Sequence, residues 1–242
     1  MKLVNVIKFS EIVDHLNRGT SQWLHAAVRS ALEINNRIRA FDAELPKLVR
    51  HLLDRSWALP IDTTLPLVLS LAEMRELGDA EGVEKALGGF FSEKLTQIEQ
   101  TLVAQFPARA VILRDAFWAH REGKFTLSIP TMLAQIDGIW HDLAQQNFYR
   151  PRGRKAVEAL LVREANGARE AIVLILTDVG AIRRDSKETR SSLETLSRHL
   201  ILHGVSIDYP SELNSLKCAS WLSLLVSIAQ ERTGAQQTQS RD

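Results

Sequence analysis

Hydrophobic residues recur every three or four positions along most of this chain, with charged and polar residues between them. This spacing places the apolar side chains on one face of an α-helix, so it predicts helices rather than strands. A run of apolar residues at 171–176 has no clear period, and we assign it to a helix from its setting among helical patterns. The fold class predicted is therefore all-α, a helical bundle. The predicted helices cover 65–77, 92–105, 108–121, 129–143, 157–165, 189–203 and a last helix from 212 onward.

A longer seam runs through the N-terminal region, where apolar residues are spaced alternately four and three positions apart. Such a heptad pattern is typical of a helix that packs along a partner helix, in the same chain or in a second copy. Proline removes a backbone donor and clashes with the preceding turn, so Pro46 interrupts the pattern. The seam is either a partner-binding arm or an ordinary bundle helix kinked near Pro46. Its members are Ala27, Ala31, Ile34, Ile38, Phe41, Leu45, Leu48 and Leu52.

Glycine, proline and serine indicate where elements begin and end. Residues 56–64 have the composition of a connector, and we place a domain boundary near Gly88-Gly89. Ser128 is a candidate helix cap with Pro130 in the first turn, and Gly204 can adopt the left-handed conformation that ends a helix. The predicted organisation is an additional N-terminal helical region at 1–90, a helical bundle at 91–233 and a disordered tail at 234–242.

Composition excludes several classes of protein. The chain has 242 residues with 45% hydrophobic content, enough to bury a full core, and its net charge of +1 gives no bulk attraction to nucleic acid or membrane. Cys218 is the only cysteine, so no intrachain disulfide can form and a cytoplasmic setting is expected. No segment approaches the roughly 18 uninterrupted apolar residues of a membrane span, so we expect no membrane partner.

Arg198 and His203 are the candidate reactive pair, in the segment R-H-L-I-L-H-G. Arginine is a permanent cation that binds phosphate through a fork of donors, and histidine exchanges a proton near neutral pH. A step of five residues turns a helix by about 140°, so the two side chains of one helix do not face the same way. The alternative is a histidine at the margin of a packed face. Arginine and histidine with four to six residues between them also occur at Arg18…His25 and Arg114…His120, so the pattern is not specific.

Two further groups of residues have chemical potential. His199 and His203 are four positions apart, a spacing that can bind a metal, but no third ligand is apparent, and we predict neither metal nor cofactor. No glycine-rich phosphate loop occurs in the sequence, which disfavours ATP chemistry. A basic loop after two aromatic residues is either an RNA-binding patch or a solvated loop. Its residues are Arg150, Arg152, Arg154 and Lys155, preceded by Phe148 and Tyr149.

The segment L-S-R-H-L-I-L-H-G-V-S-I-D-Y-P at 196–210, followed by S-E-L-N-S-L-K at 211–217, resembles the HEPN superfamily of helical nucleic-acid-processing domains. Ribonucleases of that family carry an arginine, usually a polar residue next, and a histidine a few positions further on. Arg198, His199 and His203 match these places in order. The resemblance covers about residues 92–232 and is most specific at 196–217.

The resemblance implies a bundle that forms a homodimer, in which two Arg/His pairs line one cleft and cut RNA without a metal. His203 would assist attack of the ribose 2′-OH on the adjacent phosphate, and Arg198 would stabilise the developing charge. Phage defence or a toxin–antitoxin system is the implied setting, with an antitoxin as a further protein partner. Val205 stands where some HEPN toxins carry a tyrosine that is modified. The supporting neighbours are His199, Asp208, Tyr209 and Asn214.

A second function is compatible with the same sequence. A non-catalytic helical dimer would bind RNA or a protein partner, with residues 20–55 as its contact arm. In that case Arg198 and His203 would be dispensable, because neither would touch a reacting bond.

Overall fold

The computed structural model describes residues 44–144, 182 and 196–239, with side-chain detail as far as residue 230. Within these ranges the regular elements are helices and no strand occurs, so the predicted all-α helical bundle is confirmed. By its internal contacts the chain divides into two compact units, Met1–Ala43 and Glu44–Asp242. The described residues all belong to the second unit.

The described part of this unit consists of helices of very different length. The two longest are the third and the last, and the shortest immediately precedes the last. One 3₁₀ turn, Pro107–Arg109, links the third helix to the fourth. The helices are α1 at 44–53, α2 Leu65–Glu76, α3 Ala80–Gln105, α4 Ala110–Arg121, α5 Phe125–Ala144, α6 Arg198–Leu202 and α7 Glu212–Gln239.

The predicted domain boundary at Gly88-Gly89 is wrong. Both glycines lie inside α3, which continues through them because Leu87 and Phe91 on either side are fully buried. Glycine costs a helix about 1 kcal/mol relative to alanine, and burial of a large apolar side chain contributes about 1.5–3 kcal/mol in the opposite direction. The division between compact units falls instead between Ala43 and Glu44.

Helix α7 is the central element of the bundle. Every residue from 215 to 226 is buried, so this stretch has no solvent-facing side, whereas its sequence pattern predicts a single apolar stripe. Helices α3 and α5 pack along it. Cys218 is fully buried there, and burial raises the pKa of its thiol, as expected for a core cysteine.

The connector between α1 and α2 is bound to α7 through serine hydroxyls. Ser220 Oγ accepts the amide of Ala58 at 3.1 Å, and Ser227 Oγ accepts the amide of Ile61 at 3.2 Å. Each hydroxyl also donates to a carbonyl oxygen three residues earlier in α7, so it is donor and acceptor at once. The non-helical connector predicted at 56–64 is confirmed, and helix α7 satisfies two of its backbone donors.

Trp57 fixes the connector in the core. Its ring stacks on Phe91 with centroids 5.6 Å apart, and its Nε1 donates to Glu84 Oε2 at 3.0 Å. The same carboxylate oxygen lies 3.1 Å from Nζ of Lys217, whose side chain is only 3% exposed. An isolated ammonium group in the interior is strongly disfavoured, so this lysine depends on its partner. One carboxylate therefore joins α3, α7 and the connector.

Ser56 gives the connector an unusual backbone conformation. Its φ is +66°, in the left-handed region that costs a residue with a side chain about 1–2 kcal/mol. The Ser56 carbonyl accepts from Nε1 of Trp221 at 2.9 Å, and the Ser56 hydroxyl donates to the Leu196 carbonyl at 3.3 Å. The second bond ties the connector to the segment that leads into Arg198.

The predicted start of α5 is also wrong. The helix begins at Phe125, and Ser128 is buried inside it with its hydroxyl 2.9 Å from that of Ser215. Pro130 is likewise internal rather than in the first turn, so the Thr126 carbonyl lacks its usual helical donor. That carbonyl instead accepts a long hydrogen bond, 3.5 Å, from the Tyr209 hydroxyl.

The C-terminal tail differs from its prediction as well. Helix α7 continues to Gln239, so the backbone at 234–239 is helical, where disorder was expected. Extending a helix that is already formed adds one hydrogen bond per residue and avoids the cost of nucleation. A lack of apolar residues to bury therefore did not end this helix.

The strain at Ser56 can be measured by comparing two substitutions. Ser56→Gly and Ser56→Ala both remove the hydroxyl that bonds the Leu196 carbonyl, but only glycine adopts a positive φ without cost. We expect Ser56→Gly to be more stable than Ser56→Ala by about 1 kcal/mol in urea-induced unfolding. Equal stability of the two variants would contradict the left-handed conformation.

Candidate functional site

Arg198 is the first residue of α6. Ser197 precedes it in an extended conformation, and its hydroxyl accepts the Leu200 amide at 3.4 Å, which caps the helix. The predicted helix at 189–203 is therefore wrong at its start, since residues 196 and 197 are not helical. Residues 189–195 lie outside the described part of the chain. Leu196 is buried immediately before the cap and fixes the point at which α6 begins.

His203 is the C-terminal cap of α6, which ends at Leu202. Gly204 follows with φ +69°, so the predicted glycine stop is confirmed. The amides of Val205 and Ser206 both donate to the Leu200 carbonyl, at 2.8 and 3.0 Å. These bonds turn the chain sharply after His203 and present its ring at the edge of the turn.

The two residues of the candidate pair differ in exposure. Ile201 is the residue of α6 that is buried, in a helix that packs against α5. Arg198 and His199 are half-buried, and His203 is exposed. The rings of His199 and His203 lie close together, with centroids 4.4 Å apart and planes tilted by 52°. The imidazole of His203 is therefore accessible to a ligand, with a second imidazole beside it.

Tyr209 and Asn214 support the loop that follows His203. Asn214 Nδ2 donates to the Tyr209 carbonyl at 2.9 Å, and the Asn214 amide donates to Ser211 Oγ at 3.1 Å. The second bond caps the start of α7, and the Tyr209 hydroxyl reaches the start of α5. Asp208 is exposed in the same loop. Tyr209 and Asn214, two of the predicted supporting residues, therefore hold the backbone that follows His203.

Other predicted site residues cannot be located. The basic loop of Arg150, Arg152, Arg154 and Lys155, with Phe148 and Tyr149, lies outside the described residues. The same holds for the Arg18…His25 pair and for most of the N-terminal seam. Leu48 and Leu52, at the end of that seam, are buried in the core of the unit to which they belong.

In the Arg114…His120 pair, the histidine has a structural role. His120 is 8% exposed, and its Nδ1 shares a hydrogen bond of 2.8 Å with Ser215 Oγ. Ser215 in turn bonds Ser128, so three buried polar side chains join α4, α5 and α7. Burial lowers the pKa of His120, an effect that the Glu212 carboxylate opposes and Arg121 reinforces.

Exposed apolar side chains flank His203 along the chain. Leu202, Val205 and Ile207 are all solvent-exposed, Ile207 by 78%, and we call these three residues the apolar rim. Large apolar residues grouped on a surface often indicate a protein interface. The sequence did not predict the rim, because helical periodicity places Leu202 beside core positions. Val205 and Ile207 lie in a loop, to which helical periodicity does not apply.

A second exposed group lies on the neighbouring turn between α4 and α5. Trp118 is 47% exposed, and Nζ of Lys124 is 4.2 Å from the centroid of its indole. The exposure of Trp118 was also not predicted. The signal was present, because Trp118 stands seven residues, or two helical turns, after Val111, and both lie on the solvent side of α4.

Among the residues described here, no group of three or more histidine, cysteine, aspartate and glutamate side chains has the arrangement of a metal site. None of the helices in the described ranges is both long and apolar enough to cross a membrane.

Comparison with known proteins adds no assignment. No protein-family model, no curated protein and no solved structure matches this chain.

The buried His120 predicts how stability depends on pH. A histidine whose pKa is lowered in the folded state binds fewer protons than in the unfolded chain, whose histidine pKa is about 6.5. Stability should therefore be highest above that value and fall as the pH decreases towards 5. We expect His120→Asn to be less stable but to have a shallower pH dependence between pH 7 and 5, measured by urea unfolding.

His51 makes a second, independent contribution to the pH dependence of stability. Burial and the nearby Arg55 also lower the pKa of His51, so His51→Gln should reduce the wild-type slope independently. A His120→Asn protein whose slope equals that of the wild type would contradict the role assigned to His120.

Proposed function

We propose that this protein is a metal-independent endoribonuclease that uses Arg198 and His203. The observation that carries the proposal is the solvent exposure of His203 at the end of α6, five residues after Arg198. The resemblance of residues 196–217 to HEPN ribonucleases supplies the substrate class. The all-helical fold is compatible with that family.

The reaction is an attack of the ribose 2′-oxygen on the adjacent phosphorus. His203 accepts the 2′-hydroxyl proton as general base, and the bond from phosphorus to the 5′-oxygen breaks. A second imidazole returns a proton to the leaving 5′-oxygen. The products are a 2′,3′-cyclic phosphate and a free 5′-hydroxyl. Arg198 stabilises the negative charge on the phosphoryl oxygens during the attack.

The active form in this proposal is a homodimer. A step of five residues turns a regular helix by about 140°, so one copy is not expected to direct Arg198 and His203 at the same phosphate. Two copies related by a two-fold axis would bring the arginine and histidine of both chains to one cleft. The apolar rim supports this arrangement, because Leu202, Val205 and Ile207 would be covered by the second copy.

The proposed setting is the cytoplasm, in phage defence or a toxin–antitoxin system, where an antitoxin restrains cleavage. The single, buried cysteine suits a reducing compartment. The basic residues at 150–155 are proposed to add RNA contacts.

Replacement of His203 tests the catalytic assignment. In the presence of EDTA, His203→Ala should cleave total RNA at least about 100-fold more slowly than the wild type, because the proton acceptor is lost. Arg198→Lys should fall between the two, since lysine keeps the charge but not the fork of donors. His141→Ala removes another exposed histidine, on α5, and should retain full activity.

Two outcomes would overturn the assignment. One is cleavage by a folded His203→Ala protein at the wild-type rate. The other is loss of wild-type cleavage on addition of EDTA, which would contradict metal independence. In the first case the apolar rim favours the second function, a non-catalytic helical dimer that binds RNA or a protein.

The dimer has a separate test. Ile207→Asp places a charge in the apolar rim and should convert the dimer to a monomer, measured by size-exclusion chromatography with light scattering. Leu77→Asp is a matched control, because Leu77 is 77% exposed and Ile207 78% exposed. We expect Leu77→Asp to remain dimeric and active. A monomeric wild-type protein that still cleaves RNA would contradict the shared cleft.

A further inference from the structure

Trp118 is an exposed indole beside a cation. It is 47% exposed near the C-terminal end of α4, whereas Trp57, Trp140 and Trp221 are fully buried. Nζ of Lys124 lies 4.2 Å from its ring centroid, a cation–π distance. No fold requirement explains this exposure, because the core face of α4 is formed by other residues. Those residues are Leu113, Ala116, Phe117 and His120.

Trp118 lies at the same end of the bundle as His203. Helices α4 and α6 end there, and helices α5 and α7 begin there. Two contacts join these termini: Tyr209 in the loop after His203 reaches Thr126, and His120 near the end of α4 bonds Ser215 near the start of α7. The chain segments that carry His203 and Trp118 are therefore joined by direct contacts at this end of the bundle.

We infer that Trp118 and Lys124 form a stacking site for an unpaired base of the RNA substrate. A base stacks on the face of the Trp118 indole that Lys124 does not cover, and the Lys124 ammonium contacts a neighbouring phosphate. The substrate class rests on the proposed ribonuclease function. The inference adds a single-strand preference and two residues that bind RNA away from the reacting phosphate.

The local charge indicates that stacking contributes more than electrostatic attraction. The exposed cations near Trp118 are Arg114, Lys124 and Arg121, and Arg121 is paired with Glu99 at 2.6 Å. The exposed acids Asp115 and Glu122 flank the same turn. With cations and acids nearly balanced, binding should depend strongly on the ring and weakly on salt.

Binding is tested separately from cleavage in the His203→Ala protein, which leaves RNA intact. A fluorescein-labelled, unstructured oligouridine is titrated with the full chain, and its anisotropy is followed. Adding Trp118→Ala should weaken binding roughly 10-fold or more, whereas Trp118→Phe should retain most of it. Val111→Ala is the matched control, since Val111 is 69% exposed on the same helix but has no ring.

Two further measurements isolate the stacking contact. Intrinsic fluorescence should be quenched by the RNA, and Trp118→Phe should reduce that quenching, because Trp57, Trp140 and Trp221 are buried. Lys124→Ala should reduce the slope of log affinity against log salt by about 0.7, the value for one phosphate contact on a single strand.

The outcomes distinguish this inference from the proposed function. Weaker binding by Trp118→Ala supports the stacking site even if the wild type cleaves nothing, in which case only the ribonuclease proposal fails. Unchanged RNA binding by a folded Trp118→Ala protein overturns the stacking site even if His203 proves essential for cleavage. Absence of any RNA binding by the His203→Ala protein also overturns it.

Discussion

The hydrogen bonds between the connector and helix α7 are the constraint on which the described bundle depends. The amides of Ala58 and Ile61 are three residues apart in a non-helical segment, which spans about 10 Å when extended. Ser220 and Ser227 are seven residues apart on a helix, which is about 10.5 Å along its axis and two turns on the same face. The two spacings match, so the hydroxyls fix the register of the connector on α7. The backbone carbonyls of α7 already accept hydrogen bonds within the helix, so the serine hydroxyls are the acceptors left for the connector amides.

The polar side chains of α7 can lie at the centre of the bundle because they have hydrogen-bond or ion-pair partners. Lys217 is buried against Glu84, and Ser215 completes a chain with His120 and Ser128. Each of these groups is expensive to bury alone and acceptable only with its partner. A helix that carries several polar side chains therefore becomes the core element, because the connector and the neighbouring helices supply partners for them.

The candidate site is an extension of this network. The Ser56 hydroxyl bonds the residue that precedes the cap of α6, and Tyr209 and Asn214 hold the loop that follows His203. The backbone on both sides of Arg198 and His203 is therefore fixed by the core, while the side chain of His203 stays exposed. Rigid support below an accessible imidazole is what general acid–base chemistry requires. The apolar rim and Trp118 lie around the same end of the bundle, so recognition and chemistry share one surface in the proposed ribonuclease.

The sequence by itself determined the helical character of the chain and several element ends, because periodicity and glycine conformation are local properties. The connector after α1, the helix at Leu65–Glu76 and the stop at Gly204 follow from it directly. Only the tertiary structure decided that α3 runs through Gly88-Gly89, and that His120 is buried while His203 is exposed. Burial of neighbouring side chains overrides glycine propensity, and similar Arg…His spacings acquire different environments through packing against other helices. Such environments are set by residues far apart in the chain, which no local pattern contains.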